Sequence, residues 1–278
     1  MTKDDPPDPK FEVLLDYIKC ARSVDLTGYK RASLKRRVLK RMHDVDVKDF
    51  VEYVDYLELH QGEFTELFNT ILINVTSFFR DEASWDYLKE VLIPLILKNK
   101  RHDQPIRVWS AACASGQEAY SLAMLFGEAV GFDQVKIYAT DLDEEALGQA
   151  RAAIYRESDL QCVTDDLKKK YFSKNGSHYS FNLDARRTVI FGRHDLVQDA
   201  PISKLDLLVC RNTMMYLNSD TQNRILARLH FALNDPGYLF LGKAELMLTR
   251  SDLFKQVDLK HRIFKKISRA ESRDYIRA

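Results

Sequence analysis

Apolar residues in the first third of the chain recur every three or four positions. The pattern occurs in two runs: Phe11, Leu14, Leu15, Ile18 and Phe50, Val54, Leu57. This is the period of helices buried on one face, and no strand pattern interrupts it before about residue 87. Asp46 is a candidate N-cap for the helix that carries Phe50. We therefore predict an all-helical domain over residues 11–87.

After Asn99 the pattern changes, and short apolar runs alternate with helical segments. The predicted strands are Ile106–Trp109, Val135–Ala139, Leu205–Cys210 and Tyr238–Leu241. The predicted helices between and after them cover residues 118–130, 144–153 and 219–232. Strands that alternate with helices predict right-handed crossovers and a mainly parallel sheet. The second predicted domain, over residues 88–268, is a doubly wound α/β domain.

One stretch, at about residues 158–192, does not follow this alternation. It contains a helical pattern over Asp165–Phe172, a tight turn at Asn175-Gly176 and an alternating run over Tyr179–Leu183. We expect Arg187–Phe191 to pair with that run as a hairpin. This stretch is predicted to be a small antiparallel β insertion in the α/β domain.

Composition narrows the class of protein. Apolar residues make up 45% of the chain and charged residues 30%, so it can bury a core. The 42 basic and 41 acidic residues leave a net charge of +1, which argues against a generally polyanion-binding surface. The four cysteines show no close pairing, so we expect no metal site. With no apolar signal or spanning segment, we predict a cytoplasmic protein that does not insert into membranes.

In open α/β sheets, ligands bind beyond the carboxyl ends of the strands, so the residues that follow each strand are the first candidates. Small residues run from Ser110 to Gly116, followed by Glu118, without the GxGxxG spacing of a dinucleotide site. Asp141 follows the second strand. Either it accepts hydrogen bonds from a ribose, or Asp141 or Asp143 caps the next helix.

Further polar residues follow other strands or precede the α/β domain. Asp195 comes after a strand near residues 189–192, and Arg211, Asn212 and Tyr216 follow Leu205–Cys210. The segment Asn-Val-Thr-Ser-Phe-Phe-Arg, residues 74–80, ends in an arginine beside two aromatic residues. This arginine forms either an ion pair at a domain junction or a bidentate fork for a carboxylate.

Four segments in this order carry a resemblance to a known family: NVTSFFR, VWSAACASGQEAYSLA, ATDLDEEALGQARAAIY and LDLLVCRNTMMYL. From Phe11 to Lys265 the chain resembles the CheR family of chemoreceptor glutamate methyltransferases. The resemblance implies a Rossmann-like methyltransferase domain and the cofactor S-adenosylmethionine, which leaves as S-adenosylhomocysteine. It places the cofactor-binding residues at Asn74, Thr76, Arg80, Glu118, Asp141, Asp195, Leu196 and Asn212. It places the methyl-transfer residues at Arg80 and Tyr216.

The chain departs from the family pattern at three places. Residues 114–119 read Ala-Ser-Gly-Gln-Glu-Ala, where the family has serine-threonine-glycine-glutamate-glutamate-proline. Asp195 replaces an asparagine, and Gly-Lys-Ala-Glu at 242–245 replaces glycine-histidine-serine-glutamate. Since Asp141, Arg80 and Tyr216 are retained, we expect an active enzyme. Two alternatives stay open: a methyltransferase of the same fold for another signalling protein, and a cofactor-binding module without turnover.

A basic segment provides a candidate partner surface. Residues 29–43 contain seven basic residues and no acidic one. At helical spacing one arc is apolar, formed by Leu34, Val38, Leu39 and Met42. The other arc is basic, formed by Arg36, Arg37, Lys40 and Arg41. The basic arc is either a solvated face or a docking face, and the resemblance implies the acidic methylation helix of a chemoreceptor as its partner, not nucleic acid.

The insertion bears on how such a receptor is recognised. Some members of the family use this region to bind a peptide tether at the receptor's C-terminus, with several glycines in its turns. Between Ser158 and Gly192 this chain has only Gly176, and Arg186-Arg187 occupies the expected second turn. We therefore predict that recognition does not use a C-terminal tether.

Overall fold

The structure is a computed structural model that describes residues 8–101, 104–245 and 252–268. The chain forms two compact units. The helical unit takes in the chain up to Asn74 together with Tyr216–Gln222, and the sheet unit contains Val75–Met215 and the chain from Asn223 onward. Within the described ranges, no helix is both long enough and apolar enough to span a bilayer.

The helical unit contains the four helices α1 Pro9–Arg22, α2 Arg31–Asp44, α3 Phe50–Leu59 and α4 Glu63–Ile71. Helix α1 packs against α3, and α2 packs against α4. The expected cap of α3 was wrong: the Asp49 carboxylate accepts the Val51 N–H, whereas Asp46 lies in the preceding turn with a φ of 56°. Asp49 is adjacent to the helix and in extended conformation, which is the geometry an N-cap requires.

The sheet unit contains most of the regular structure. Its helices are α5 Glu82–Tyr87, α6 Ile93–Asn99, α7 Gln117–Val130, α8 Glu144–Ala152, α9 Asp165–Tyr171, α10 Leu183–Arg186 and α11 Ser219–Ala232, of which α11 begins in the helical unit. Its strands are β1 Ile106–Ala111, β2 Val135–Asp141, β3 Ile154–Arg156, β4 Phe172–Asn175, β5 His178–Phe181, β6 Val189–Arg193, β7 Leu205–Cys210, β8 Leu233–Leu241, β9 Phe254–Asp258 and β10 Ile263–Lys266. A π-helical turn, Leu88–Leu92, joins α5 to α6.

Seven strands form the main sheet in the order β6-β2-β1-β7-β8-β10-β9. The first five are parallel, and β10 and β9 add antiparallel to the far edge. Strand β1 is the middle one of the five parallel strands: the chain proceeds from it to β2 on one side and later to β7 on the other. The crevice between the carboxyl ends of β1 and β7 is therefore the topological switch point, where ligands bind in such sheets. The predicted fold class is confirmed.

The expected pairing inside the insertion was wrong. Strand β5 pairs with β4 before it and with β3, whereas β6 pairs in parallel with β2 in the main sheet. The hairpin turn is Gly176-Ser177, and Gly176 has a φ of 60°. Helix α10, capped by the Asn182 side chain, separates β5 from β6 and prevents a tight turn between them. An alternating pattern identifies a strand but not its partner.

Candidate active site

The segment between β1 and α7 passes close to the last turn of α8. Ala112, Ala114 and Gly116 all have positive φ angles, of 59°, 47° and 91°. A Cβ on Gly116 would lie 2.9 Å from the Cβ of Ala150, so only glycine fits this position without displacing α8. The small residues noted in the sequence thus form a tightly packed turn between β1 and α7.

Asp141, the last residue of β2, is held by backbone amides. One carboxylate oxygen accepts the Ala114 N–H at 2.8 Å, and the other accepts the Asp143 N–H at 3.0 Å. Asp143 caps α8 by accepting the N–H groups of Glu145 and Ala146. The structure therefore gives the capping role to Asp143. The Asp141 carboxylate is fixed, and each oxygen retains a lone pair for a ligand.

Burial raises the pKa of Asp141 above its ordinary value, although the backbone hydrogen bonds from Asp143 and Ala114 act against the shift. The ionised form of Asp141 is therefore less favoured than that of a solvent-exposed aspartate. A ligand that donates hydrogen bonds to Asp141 would stabilise the ionised form. This is what a ribose with two hydroxyl groups offers.

Glu118, in the first turn of α7, is held by side chains. It accepts the Ser110 hydroxyl at 2.7 Å, and the Arg211 guanidinium lies 3.7 Å from its second oxygen. Burial raises the pKa of Glu118, and the charge of Arg211 and the hydrogen bond from Ser110 act against the shift. Glu118 is thus a half-buried acceptor beside the segment that follows β1.

Arg211 was named in the sequence as a residue after β7, but no role was assigned to it. Its side chain is 2% exposed and donates to the Arg80 carbonyl and to the Asp81 carboxylate at 2.8 and 2.9 Å. Its Nε is buried without a hydrogen-bond partner among the described residues. The signal in the sequence was a charged residue directly after a fully buried strand. Arg211 joins the segments that carry Arg80 and Glu118.

The predicted residues Arg80 and Thr76 lie in the segment before α5, and both are half-buried. The Arg80 guanidinium donates to the Val75 carbonyl at 2.9 Å. Phe79 and Asp81, on either side of Arg80, have φ angles of 49° and 65°. The Arg80 carbonyl also accepts the Trp85 indole N–H at 2.8 Å. The backbone at Arg80 is therefore closely specified.

Asn212 follows Arg211 and has a φ of 60°, a conformation that asparagine tolerates better than most residues. Buried Glu245 supports this turn by accepting the N–H groups of Thr213, Met214 and Gly242 at 2.6 to 3.0 Å. A Cβ on Gly242 would lie 2.8 Å from the Asn212 nitrogen. The glutamate retained from the family's second glycine-containing run thus shapes the turn at Asn212.

Asp195 and Leu196 follow β6 at the same edge of the sheet. The Asp195 carboxylate accepts the N–H groups of Val197 and Gln198 at 2.7 and 3.3 Å, and Leu196 is half-buried. Asp195 is 8% exposed and holds a turn, a role that asparagine would also perform. The substitution of asparagine by Asp195 is therefore compatible with the local fold.

Two predicted residues, Asn74 and Tyr216, belong to the helical unit. Asn74 is half-buried after the end of α4. Tyr216 is half-buried; its carbonyl accepts the Lys30 N–H at 2.9 Å, and the Arg37 guanidinium lies 4.8 Å from its ring centroid.

The predicted docking residues on α2 divide into two pairs. Arg36 and Lys40 are exposed and form no ion pair with any described residue. Arg41 forms a bidentate pair with buried Glu63 at 2.6 and 2.8 Å, and Arg37 donates to the Ile71 carbonyl at 2.7 Å. The apolar arc is buried as expected at Leu34, Val38 and Met42, but Leu39 was placed there wrongly and is 43% exposed. Leu39 directly follows Val38, and its side chain lies outside the buried face of α2.

Cys113 and Cys210 are buried cysteines of the sheet unit. Burial raises the pKa of the Cys113 and Cys210 thiols well above the ordinary value, so both stay protonated. Within residues 8–101, 104–245 and 252–268, no group of three His, Cys, Asp or Glu side chains is arranged to hold a metal ion. The sheet edge provides fixed carboxylate acceptors, which suit a cofactor with hydroxyl and ammonium groups.

Comparison with known proteins gives two family matches. Residues 74–263 match the CheR methyltransferase SAM binding domain, and residues 9–72 match the CheR methyltransferase all-alpha domain. A chemotaxis protein methyltransferase of Listeria innocua is 33% identical over 235 residues, covering 84% of this chain and 89% of that protein. One of Escherichia coli is 29% identical over 252 residues, covering 86% of this chain and 84% of that protein.

A third relative is longer. An uncharacterized 104.1 kDa protein of Rhodobacter capsulatus is 34% identical over 255 residues, which cover 90% of this chain. The chain spans 27% of the length of that protein. The matches together extend over both units.

Proposed function

Since this chain belongs to the CheR methyltransferase family, we propose that it methylates glutamate side chains on the cytoplasmic helices of chemoreceptors. Membership confirms S-adenosylmethionine as the cofactor and protein-glutamate methyl transfer in chemotaxis as the reaction. The receptor helices as substrate and the cytoplasmic location belong to the proposal. The observation that carries it is the Asp141 carboxylate, which two backbone amides hold in place. Asp143, not Asp141, caps α8.

The residues of the sheet unit fit this cofactor. Asp141 would accept the ribose hydroxyl groups, and Glu118 would accept the ammonium group of the methionine part. Asp195, Leu196 and Asn212 would line the adenine side. Arg211, whose buried Nε has no hydrogen-bond partner among the described residues, would supply a donor near Glu118. The family resemblance also assigns cofactor binding to Thr76 and to Asn74, and Asn74 belongs to the helical unit.

The reaction itself requires little acid-base chemistry. When bound, S-adenosylmethionine supplies a methyl group on a positively charged sulfur. The attacking glutamate is already ionised at neutral pH, so no general base is needed. Opposite charges neutralise as the bond forms, which makes alignment and exclusion of water the main contributions of the protein, worth up to about 7–11 kcal/mol.

In this proposal Arg80 and Tyr216 orient the acceptor carboxylate. Arg80 has spare donors, because among the described residues its guanidinium donates only to the Val75 carbonyl. Tyr216 offers a phenol O–H that hydrogen-bonds a carboxylate without a full ion pair. Too strong a pairing in the ground state would slow the transfer, so one cation and one neutral donor suit the task.

Docking of the receptor helix is assigned to the exposed cations of α2, Arg36 and Lys40. Within the described chain neither forms an ion pair, so both charges face solvent and attract an acidic partner. Arg37 and Arg41, from the same predicted set, have side chains engaged inside the helical unit. We expect the attraction to weaken as the ionic strength rises.

The direct experiment offers methyl-labelled S-adenosylmethionine and a receptor cytoplasmic fragment to the purified protein. Label on the fragment that is released as methanol in alkali is expected, because carboxyl methyl esters are base-labile. A fragment whose methylation-helix glutamates are replaced by alanine is the control and should stay unlabelled. Cofactor binding without any base-labile label on acidic helices would contradict the proposal and favour a module without turnover.

We also propose that the receptor is recognised without a C-terminal peptide tether. An added strand would need an open edge of the small sheet, whose edge strands are β3 and β4. These strands have three and four residues, and Lys174 on β4 lies 5.6 Å from the Tyr179 ring. Short edges carrying lysine disfavour strand addition.

The expected obstruction at Arg186-Arg187 takes a different form in the structure. Arg186 ends α10, and its guanidinium donates to the Arg151 carbonyl. The tether proposal therefore rests on the two edges and on the single glycine of the insertion. Calorimetric titration with receptor C-terminal peptides is expected to show no binding. Micromolar binding that protects residues 172–181 from hydrogen exchange would refute it.

A further inference from the structure

Tyr216 is held by α2 at two separate points. Its carbonyl oxygen accepts the N–H of Lys30, the residue directly before α2, at 2.9 Å. Two turns later on the same helix, the Arg37 guanidinium lies 4.8 Å from the centroid of the Tyr216 ring. This distance is within the range of a cation–π interaction. The backbone and the ring of Tyr216 thus both contact residues of α2 or directly before it.

The backbone contact is part of a short antiparallel pairing. Tyr29 forms a β-bridge with Leu217, and the Asn218 N–H donates to the Gly28 carbonyl at 2.9 Å. The Leu217 side chain is 3% exposed. This pairing fixes the main chain on either side of the Tyr216 side chain. The remaining freedom of Tyr216 is rotation of its side chain, which the guanidinium above the ring restricts.

Arg37 is itself held in place. Its Nη1 donates to the carbonyl of Ile71 at 2.7 Å, and Ile71 is the fully buried last residue of α4. A guanidinium can donate from its edge while its face stacks on an aromatic ring, which an ammonium group cannot do. Arg37 therefore joins Tyr216 to the end of α4, three residues before Asn74. The two residues that the family resemblance assigns in this unit lie on the segments that Arg37 connects.

Neighbouring cations on α2 have other surroundings. Arg36 and Lys40 are exposed. Lys35 is the closest analogue of Arg37: it is half-buried, lies 5.7 Å from the Phe50 ring and pairs with Asp8 at 2.8 Å. Lys35 thus combines the same two kinds of contact on a different side of the helix.

We propose that Arg37 is a positioning residue for methyl transfer, acting by fixing the ring orientation of Tyr216. The inference rests on the role proposed above for Tyr216, and it takes Arg37 out of the set of docking residues. Helix α2 then has two tasks: its exposed face binds the receptor, and its buried face orients the phenol. A group that is pre-oriented in this way contributes to the rate of the bound complex more than to binding.

The test measures kcat and the KM for a receptor fragment in matched variants. Arg37→Gln is expected to lower kcat at least about 10-fold with the receptor KM changed less than about 2-fold, as for loss of alignment alone. Arg37→Lys, which keeps a cation above the ring, should recover part of the lost kcat. Lys35→Gln, the control for loss of a half-buried cation, should keep kcat within about 2-fold. Arg36→Gln should instead raise the receptor KM, and the rise should diminish at high salt.

A second comparison ties the effect to Tyr216. In a Tyr216→Leu background, Arg37→Gln should cause no further loss of kcat, because residues that act as a unit are not additive. Independent, multiplying losses would overturn the inference. So would a raised receptor KM with kcat unchanged in Arg37→Gln, or an equal loss of kcat in Lys35→Gln.

Failure of the proposed function gives a different result. If the wild-type protein places no methyl ester on the receptor fragment, the proposed substrate is wrong. If the wild-type protein is active and Tyr216→Leu keeps full kcat, the role of Tyr216 is wrong and the role of Arg37 falls with it. If Tyr216→Leu loses kcat and Arg37→Gln does not, only the inference about Arg37 is overturned.

Discussion

The helical unit and the sheet unit both contain buried carboxylates, but their charges are compensated by different groups. Glu63, 5% exposed at the start of α4, accepts a bidentate pair of hydrogen bonds from Arg41 and one from the Tyr53 hydroxyl. Asp141, 8% exposed at the end of β2, accepts only backbone N–H groups. A full positive charge faces one carboxylate, and neutral dipoles face the other.

The pKa values of these groups shift in opposite directions. Burial acts to raise the pKa of Glu63, but the hydrogen bonds from Arg41 and Tyr53 outweigh it and lower the pKa below its ordinary value. Burial raises the pKa of Asp141, Glu118 and Glu245, and their hydrogen bonds do not offset it. The sheet edge therefore contains three carboxyl groups whose ionised form is under-stabilised.

This difference separates a structural carboxylate from candidate functional ones. Glu63 has the partners that it needs and stabilises the packing of α2 on α4. Asp141 and Glu118 retain a capacity to bind donors, which a ligand with hydroxyl or ammonium groups would satisfy. Perturbed acid–base groups cluster at functional sites for this reason. Substitutions at Glu63, at Asp141 or at their partners test this difference.

The largest expected effect is loss of the ion pair in the helical unit. Arg41→Met leaves Glu63 buried without its cation, and the free energy of unfolding should fall by about 3–5 kcal/mol. Arg31→Met on the same helix is the control. Arg31 pairs with Glu12 at 2.8 Å with both side chains over a third exposed, so its loss should cost less than about 1 kcal/mol. Urea unfolding followed by circular dichroism measures both, and equal losses would contradict the distinction.

A smaller effect is expected on cofactor affinity at the end of β2. Asp141→Ala removes the proposed ribose acceptor, and the affinity for S-adenosylhomocysteine should fall by about 1–3 kcal/mol in calorimetry. Asp143→Ala is the control, since Asp143 lies in the same turn but caps α8. Its loss should cost about 1 kcal/mol of stability with affinity retained. Unchanged affinity in a folded Asp141→Ala protein would remove the ribose assignment.

The ends of the buried strands can be predicted from the sequence, because these strands are continuous apolar runs. The residues that follow each run are then known. Leu205–Cys210 and α11 have the predicted bounds, and Asp141 and Asn212 lie at strand ends as expected. The partners of each side chain are harder to predict from the sequence, because they lie on distant segments. Arg41 and Glu63 are 22 residues apart, and nothing in the basic arc distinguishes Arg41 from exposed Lys40.

The roles of Arg211 and β6 show the same limit. Arg211 reaches the Arg80 carbonyl across 131 residues of sequence. Strand β6 has the length and alternation of a hairpin strand, and its place beside β2 follows only from α10, which turns the chain away from β5. Local pattern specifies the element, whereas long-range packing specifies its partner.

The smallest expected effect tests the opposite pKa shifts directly. A carboxyl group with a lowered pKa stabilises the folded state above its unfolded pKa of about 4.3, and this contribution is lost as the pH falls through the folded pKa. The stability deficit of Glu63→Gln relative to wild type should therefore shrink as the pH falls from about 7 to 3.5. Asp141 has a raised pKa, so the folded protein takes up its proton first and gains stability as the pH falls. The deficit of Asp141→Asn should therefore grow over the same range.

Each unit of difference between the folded and unfolded pKa changes the deficit by about 1.4 kcal/mol in total. The sheet unit contains both tryptophans, Trp85 and Trp109, so urea unfolding followed by tryptophan fluorescence reports on the Asp141 variant. Far-UV circular dichroism follows the helices around Glu63. Because all other titrating groups are common to variant and wild type, they cancel in each deficit. Two deficits that change in the same direction with pH would show that the carboxylates of the two units are compensated alike.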